Sequence, residues 1–185
     1  CFQRLRRHVA DGRIVLVAET EAMRQELALF SGLPVVLFPH PVQVQPLQAS
    51  AQQARPITIT CPGFARYEKG NDLLLEACRL MWAEPGFETV HVVCQWPEPF
   101  AMPDGRMLTP APDLVADPRF ELINHNLDAA AYRALLARTD LIVLPYRRES
   151  YHNRVSRVAI EAAALGIPLL FMSGTWCEEV VALTD

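Results

Sequence analysis

Seven short apolar runs constrain this chain more than any other feature: residues 13–18, 35–38, 57–61, 89–94, 120–123, 141–144 and 168–172. Several have no polar alternation, which is the pattern of strands buried on both faces of a parallel sheet. Helical patterns fall between them. One covers 21–30 and opens after Thr20, a good N-cap. A second, over 71–82, places Leu74, Leu75, Cys78 and Met81 at helical spacing. A third covers 129–137, and a fourth, over 153–165, is closed by Gly166 with Pro168 just beyond. Strands alternating with helices predict an α/β fold, a parallel sheet with helices on both faces.

With 185 residues, the chain has room for one such domain, or one plus part of a neighbour. The formal charge of −4 calls for neither nucleic acid nor an anionic membrane as partner. Five cysteines, an odd number with no C-x-x-C and no histidine at zinc-ligand spacing, read as buried thiols in a reducing compartment and exclude a metal centre of that kind. No apolar run reaches membrane-spanning length and no signal peptide is visible, so the expected location is cytoplasmic, with peripheral membrane contact still open. The chain begins at Cys1 without a methionine, and its true N-terminus is expected upstream.

The rhythm breaks at 43–56, rich in Gln, Ala and Pro, which reads as a linker. The expected organisation is a tail of an N-terminal domain with linker entry over 1–46, a linker over 47–55, and a second unit over 56–185. Six prolines follow Trp96 within 96–118, predicting an irregular connection with at most one short helix.

Two segments can carry chemistry. In 61–70, Cys-Pro-Gly-Phe-Ala-Arg-Tyr-Glu-Lys-Gly, a strand leads through a glycine loop with two cations to a helix start. Free backbone N–H groups and the helix dipole there favour a phosphate. Gly63 permits close approach or a positive φ, Arg66 offers a planar fork, and Lys69 offers a point charge. Neither the P-loop pattern nor the dinucleotide glycine fingerprint is present. The competing reading is a surface loop whose cations pair with Glu68 or Asp72. In 141–168 a buried strand ends at Pro145, a polar loop follows, and a helix bears Glu161. Ligands of open α/β sheets bind beyond such strand ends, and a carboxylate there can accept from two sugar hydroxyls. The competing reading is an i, i+4 pair with Arg157. The basic run Arg147, Arg148, Arg154 and Arg157 reads as a solvated face, His152 as structural or exposed, and Glu178 and Glu179 as capping charges.

Together these segments resemble the C-terminal, nucleotide-sugar-binding domain of retaining-type glycosyltransferases of GT-B architecture, the glycosyl transferases group 1 family. The resemblance rests on Gly63, Arg66 and Lys69-Gly70 with the helix after them, then Leu144-Pro145, Glu161-Ala162 and Gly166-Ile-Pro168, and on Trp176-Cys-Glu-Glu179. It covers about 56–185, and residues 1–42 are similar to the end of that family's N-terminal domain. It implies a Rossmann-like half of a GT-B fold that binds a nucleotide diphosphate sugar and transfers the glycosyl group to a saccharide or lipid-linked acceptor, without metal or further cofactor.

By the same resemblance Arg66 and Lys69 stabilise the leaving diphosphate and Glu161 binds the ribose. Asn153 and Arg154 approach the donor sugar or its phosphates, and Asn126, in the loop 124–127, contacts the base. Two departures stand out. Asn153 occupies the place of a frequent glutamate eight positions before Glu161, and Cys94-Gln-Trp96 replaces a glycine after the third strand. The acceptor side is expected on a partner N-terminal domain, so this chain alone is expected to be catalytically silent. The alternatives are a nucleotide-sugar epimerase and a non-catalytic GT-B-like binding domain.

Overall fold

A computed structural model describes residues 2–41 and 55–182. The expected linker 47–55 lies outside the described residues except for Arg55. In the first part, α1 (Arg6–Ala10) precedes β1 (Leu16–Ala18), α2 (Glu21–Ser31) and β2 (Val35–Leu37). β1 and β2 pair in parallel, Leu16 opposite Val35. Thr20 caps α2 as expected, accepting from the Met23 amide at 3.1 Å. This part carries exposed apolar side chains, among them Val17, Leu29, Phe30, Val36 and Phe38.

The second part is built from β3 (Thr58–Cys61), α3 (Asn71–Ala83), β4 (His91–Gln95), β5 (Phe100–Ala101), β6 (Met107–Leu108), α4 (Pro112–Val115), β7 (Phe120–Ile123), α5 (Ala129–Ala137), β8 (Leu141–Leu144), α6 (Arg148–Tyr151), α7 (Arg157–Leu165), β9 (Leu169–Phe171) and α8 (Cys177–Ala182). Five strands form one sheet in the order β7-β4-β3-β8-β9, every pairing parallel. The order reverses beside β3, between its neighbours β4 and β8, and crevices of open sheets form at such a reversal.

The unbroken apolar runs are explained by burial on both faces. Val92 and Cys94 face α3 and α4 with Leu74, Leu75 and Phe120. Val93 faces the other way, with Ile123 and Leu135 of α5. Ile142 and Leu144 pack under α7 and α8 against Ala159, Ala162, Trp176 and Val180. Cys61, Cys78, Cys94 and Cys177 are buried free thiols, and burial pushes Cys78 up to about 12.

The helix expected over 153–165 begins only at Arg157. Ser156 is its cap, accepting from the Ala159 amide at 3.2 Å, and Tyr146 fixes the Ser156 hydroxyl from the other side at 3.0 Å. The proline-rich 96–118 holds the expected short helix, α4, and also an unforeseen hairpin, β5 with β6.

Gly70 packs directly against Pro145, just beyond the end of β8. Its φ is +68°, and a Cβ there would stand 1.8 Å from the Pro145 carbonyl oxygen. Gly70→Ala is therefore expected to cost at least ~3 kcal/mol, left-handed strain plus a backbone shift. Gly86→Ala has a positive φ but nothing within 4 Å, and should cost only ~1–2 kcal/mol of left-handed strain. Urea midpoints of the two variants check the contrast.

Candidate functional site

The carboxyl ends of β3, β4 and β7 open onto a cleft of about 450 Å³. Gly63, Gln95 and Asn126 line it from the strand ends, Tyr132 from α5, and Arg157 and Glu161 from α7. Three residues expected at the site, Gly63, Asn126 and Glu161, thus share one cavity.

The loop after β3 is held by its own amides. The Gly63 N–H donates to Gln95 Oε1 at 2.8 Å, the Arg66 N–H to Asn71 Oδ1 at 2.9 Å, the Lys69 N–H to the Arg66 carbonyl at 3.2 Å and the Gly70 N–H to the Tyr67 carbonyl at 2.9 Å. These bonds take up four of the loop's amides, so an anion here would meet the loop's cationic side chains together with the amides that remain.

Lys69 shows why residue 63 is a glycine. A Cβ at Gly63, whose φ is +88°, would stand 3.0 Å from the Lys69 ammonium nitrogen, so the ammonium lies over the bare backbone. Burial, with the nearby Arg66 and Arg154 charges, holds the Lys69 ammonium below the ordinary lysine pKa. No carboxylate lies within ion-pairing distance of it among the described residues. Arg66, half exposed, stands 3.6 Å from Glu68. Arg154 is exposed, its guanidinium 5.3 Å from the Tyr151 ring.

Asp72, the other expected partner of the loop cations, belongs to Arg147. That guanidinium donates to Asp72 and to the Tyr67 carbonyl at 3.0 Å, and lies 3.9 Å over the Tyr67 ring. Arg147 is therefore not on a solvated face but fastens the β8 loop to the start of α3.

Glu161 makes the expected pair with Arg157, at 2.8 Å, and its other oxygen accepts from Tyr132 at 2.9 Å. The Glu161 side chain is 15% exposed and Arg157 73%. The arginine can swing away while the carboxylate stays fixed in the cleft wall. Asn153 does not enter the cleft lining; its Nδ2 donates to Glu26 of α2 at 2.7 Å. Glu178, in the first turn of α8, accepts from the Gly174 amide at 2.8 Å and so ties down the turn before the helix.

Four positioning residues escaped the sequence reading: Asn71, Gln95, Tyr132 and Arg147. Asn71 is fully buried, its Nδ2 3.6 Å from Cys61 Sγ and 3.8 Å from Cys94 Sγ. Gln95 occupies the place noted for a missing glycine, and that departure was its only signal. Besides Gly63 it bonds the His125 carbonyl at 3.2 Å, bridging the loops after β3 and β7.

Among the described residues no His/Cys/Asp/Glu cluster fit for a metal ion occurs, and no helix is long and apolar enough to cross a membrane.

The fold is similar to that in the crystal structure of TarM, with TM-score 0.59 and 15% identity, covering 86% of this chain and 29% of that chain. It is also similar to that in the crystal structure of a GtfA/B complex, with TM-score 0.54 and 15% identity, covering 86% and 30%. The C-terminal domain of a glycosyl transferase group 1 family protein (LpcC) from Francisella tularensis matches at TM-score 0.46 and 18% identity, covering 66% and 62%. The chain spans less than a third of the length of the first two. No protein-family model matches the sequence, and no curated protein matches it. At these identities the likeness is one of fold, a Rossmann-like half of the GT-B type.

Gln95→Leu would orphan the Gly63 amide and the His125 carbonyl. A loss of ~2 kcal/mol of stability is expected, at ~1–3 kcal/mol for each unsatisfied buried group and with partial access to water. Equilibrium unfolding measures it.

Proposed function

We propose that this chain is the donor-binding half of a glycosyltransferase, and that its cleft holds a nucleotide diphosphate sugar. The observation that carries the reading is Lys69: a largely buried ammonium without a carboxylate partner among the described residues, over Gly63 at the end of β3. A buried, unneutralised cation is stabilised by an anion, and Arg66 and Arg154 make the position suited to more than one negative charge. The cleft beside it is large enough for a nucleoside and carries a fixed carboxylate, Glu161, able to accept from vicinal ribose hydroxyls. The Asn126 loop also lines it and can contact the base.

In the proposed reaction the bond between the sugar's anomeric carbon and the donor phosphate oxygen breaks, and its electron pair stays on the nucleoside diphosphate. The acceptor oxygen, from a saccharide or lipid-linked sugar, bonds to the anomeric carbon, and its proton passes to the departing diphosphate or to solvent. Negative charge grows on the diphosphate as the bond stretches, so cations fixed beforehand stabilise the transition state more than the ground state. Arg66 and Lys69 fill that role.

Lys69→Ala is expected to weaken nucleoside diphosphate binding by ~1.5–3 kcal/mol, the range for hydrogen bonds to charged groups. The wild-type affinity should also depend on pH. Because burial lowers the Lys69 pKa below the ordinary 10.5, the charge disappears as pH rises through that lowered value. Affinity should then fall at a lower pH than an ordinary lysine would give, and the fall should vanish in Lys69→Ala. Calorimetric titrations with UDP, GDP and ADP across alkaline pH test both expectations; an unchanged dissociation constant in Lys69→Ala overturns the diphosphate assignment.

Glu161→Gln is expected to weaken nucleoside diphosphates about tenfold, as removal of a charge-assisted hydrogen bond does, while inorganic pyrophosphate binding stays nearly constant. Equal losses for both ligands would assign Glu161 to the Arg157 pair alone.

A further inference from the structure

α2 lies outside the five-stranded sheet, yet it grips the loop that leads into α7. Glu26 accepts from Asn153 Nδ2 at 2.7 Å through Oε2, and its Oε1 is 3.2 Å from His152 Nε2. Thr20, only 1% exposed, donates its hydroxyl proton to the Asn153 carbonyl at 2.9 Å while its oxygen caps α2. The far end of the same loop is pinned by Ser156, which caps α7 and bonds Tyr146. Arg154 sits between these two anchors.

The partition of charge matters as much as the anchoring. Both Glu26 oxygens are engaged by the amide of Asn153 and the imidazole of His152. Those contacts hold the carboxylate on the residues ahead of Arg154. Arg154 itself lies over the Tyr151 ring, close enough to Lys69 for its charge to act on the ammonium, and no carboxylate pairs with it among the described residues. A loop left free at 152–153 would let Arg154 wander, and a long side chain loses affinity for an anion when its backbone must be ordered on binding.

We infer that Glu26 of α2 is a positioning residue for the anion site: by holding His152 and Asn153 it fixes the backbone from which Arg154 reaches a diphosphate beside Lys69. The inference rests on the diphosphate reading of the cleft.

The experiment is a double-mutant cycle read by calorimetry with UDP, GDP and ADP, together with amide exchange over residues 152–156. Glu26→Ala is expected to weaken diphosphate binding about three- to tenfold, the scale of coupling within one hydrogen-bonded network. Glu26→Gln keeps an acceptor for Asn153 and should restore most of that loss. In an Arg154→Ala background, Glu26→Ala should cost nothing further. Asn153→Ala, which cuts the same bond from the other side, should reproduce the Glu26→Ala loss. Equal losses with and without Arg154, or no rescue by glutamine, overturn the inference. If the wild-type chain binds none of the three diphosphates, the reading of the cleft fails and the role given to Arg154 fails with it. Faster exchange over 152–156 in Glu26→Ala would then leave α2 as an anchor of the loop alone, and unchanged exchange would remove that as well.

Discussion

Two distant chain segments, the loops after β3 and β8, meet where Gly70 backs onto Pro145. A side chain at residue 70 has no room, since a Cβ would fall 1.8 Å from the Pro145 oxygen. Arg147 crosses the same junction, bonding the Tyr67 carbonyl and the Asp72 carboxylate and covering the Tyr67 ring. The pair with Asp72 is mostly shielded from water, with side-chain exposures of 21% and 17%, so either partner left alone would carry a desolvation penalty. The loops after β3 and β8 therefore form one unit, and the relative placement of Lys69, α6 and the loop leading into α7 follows from it.

The carboxylates nearby are already engaged. Asp72 is committed to Arg147, Glu161 to Tyr132 and Arg157, and Glu26 to His152 and Asn153. Among the described residues, only Glu68 comes within ion-pairing distance of one of the loop cations, standing 3.6 Å from Arg66. Local positive potential survives in a chain whose net charge is −4 because its neighbouring carboxylates already have partners.

The strands were legible because a parallel sheet buries both faces and leaves unbroken apolar runs; 120–123 and 141–144 fall on β7 and β8. The loop residues Gly63, Arg66 and Lys69 were legible as a glycine and two cations between a strand and a helix. What the sequence did not display was who partners whom. Arg147 reads as one of four exposed arginines until the fold brings Asp72 and Tyr67 beneath it. Glu26 carried no signal within the 21–30 helical pattern; its partner Asn153 lies 127 positions away. The late start of α7 has the same origin: the 153–165 pattern is helical in period, but contacts from α2 and Tyr146 hold its first residues in a loop. Gln95 stood out only as the absence of a glycine, since a side-chain amide that ties two loops leaves no periodic trace.

The strand order carries one more consequence. Lys69 follows β3, Arg154 follows β8, and the two strands touch along Ile59–Leu141 and Thr60–Ile142. The proposed anion site would exist only while that seam is closed, so by thermodynamic linkage a ligand bound there would stabilise the closed fold to the extent that it saturates the site. At a hundredfold excess over its dissociation constant, a ligand would add ~2.7 kcal/mol to the pairing of the two halves. Occupancy of the proposed site and cohesion of the sheet would then be linked, each favouring the other.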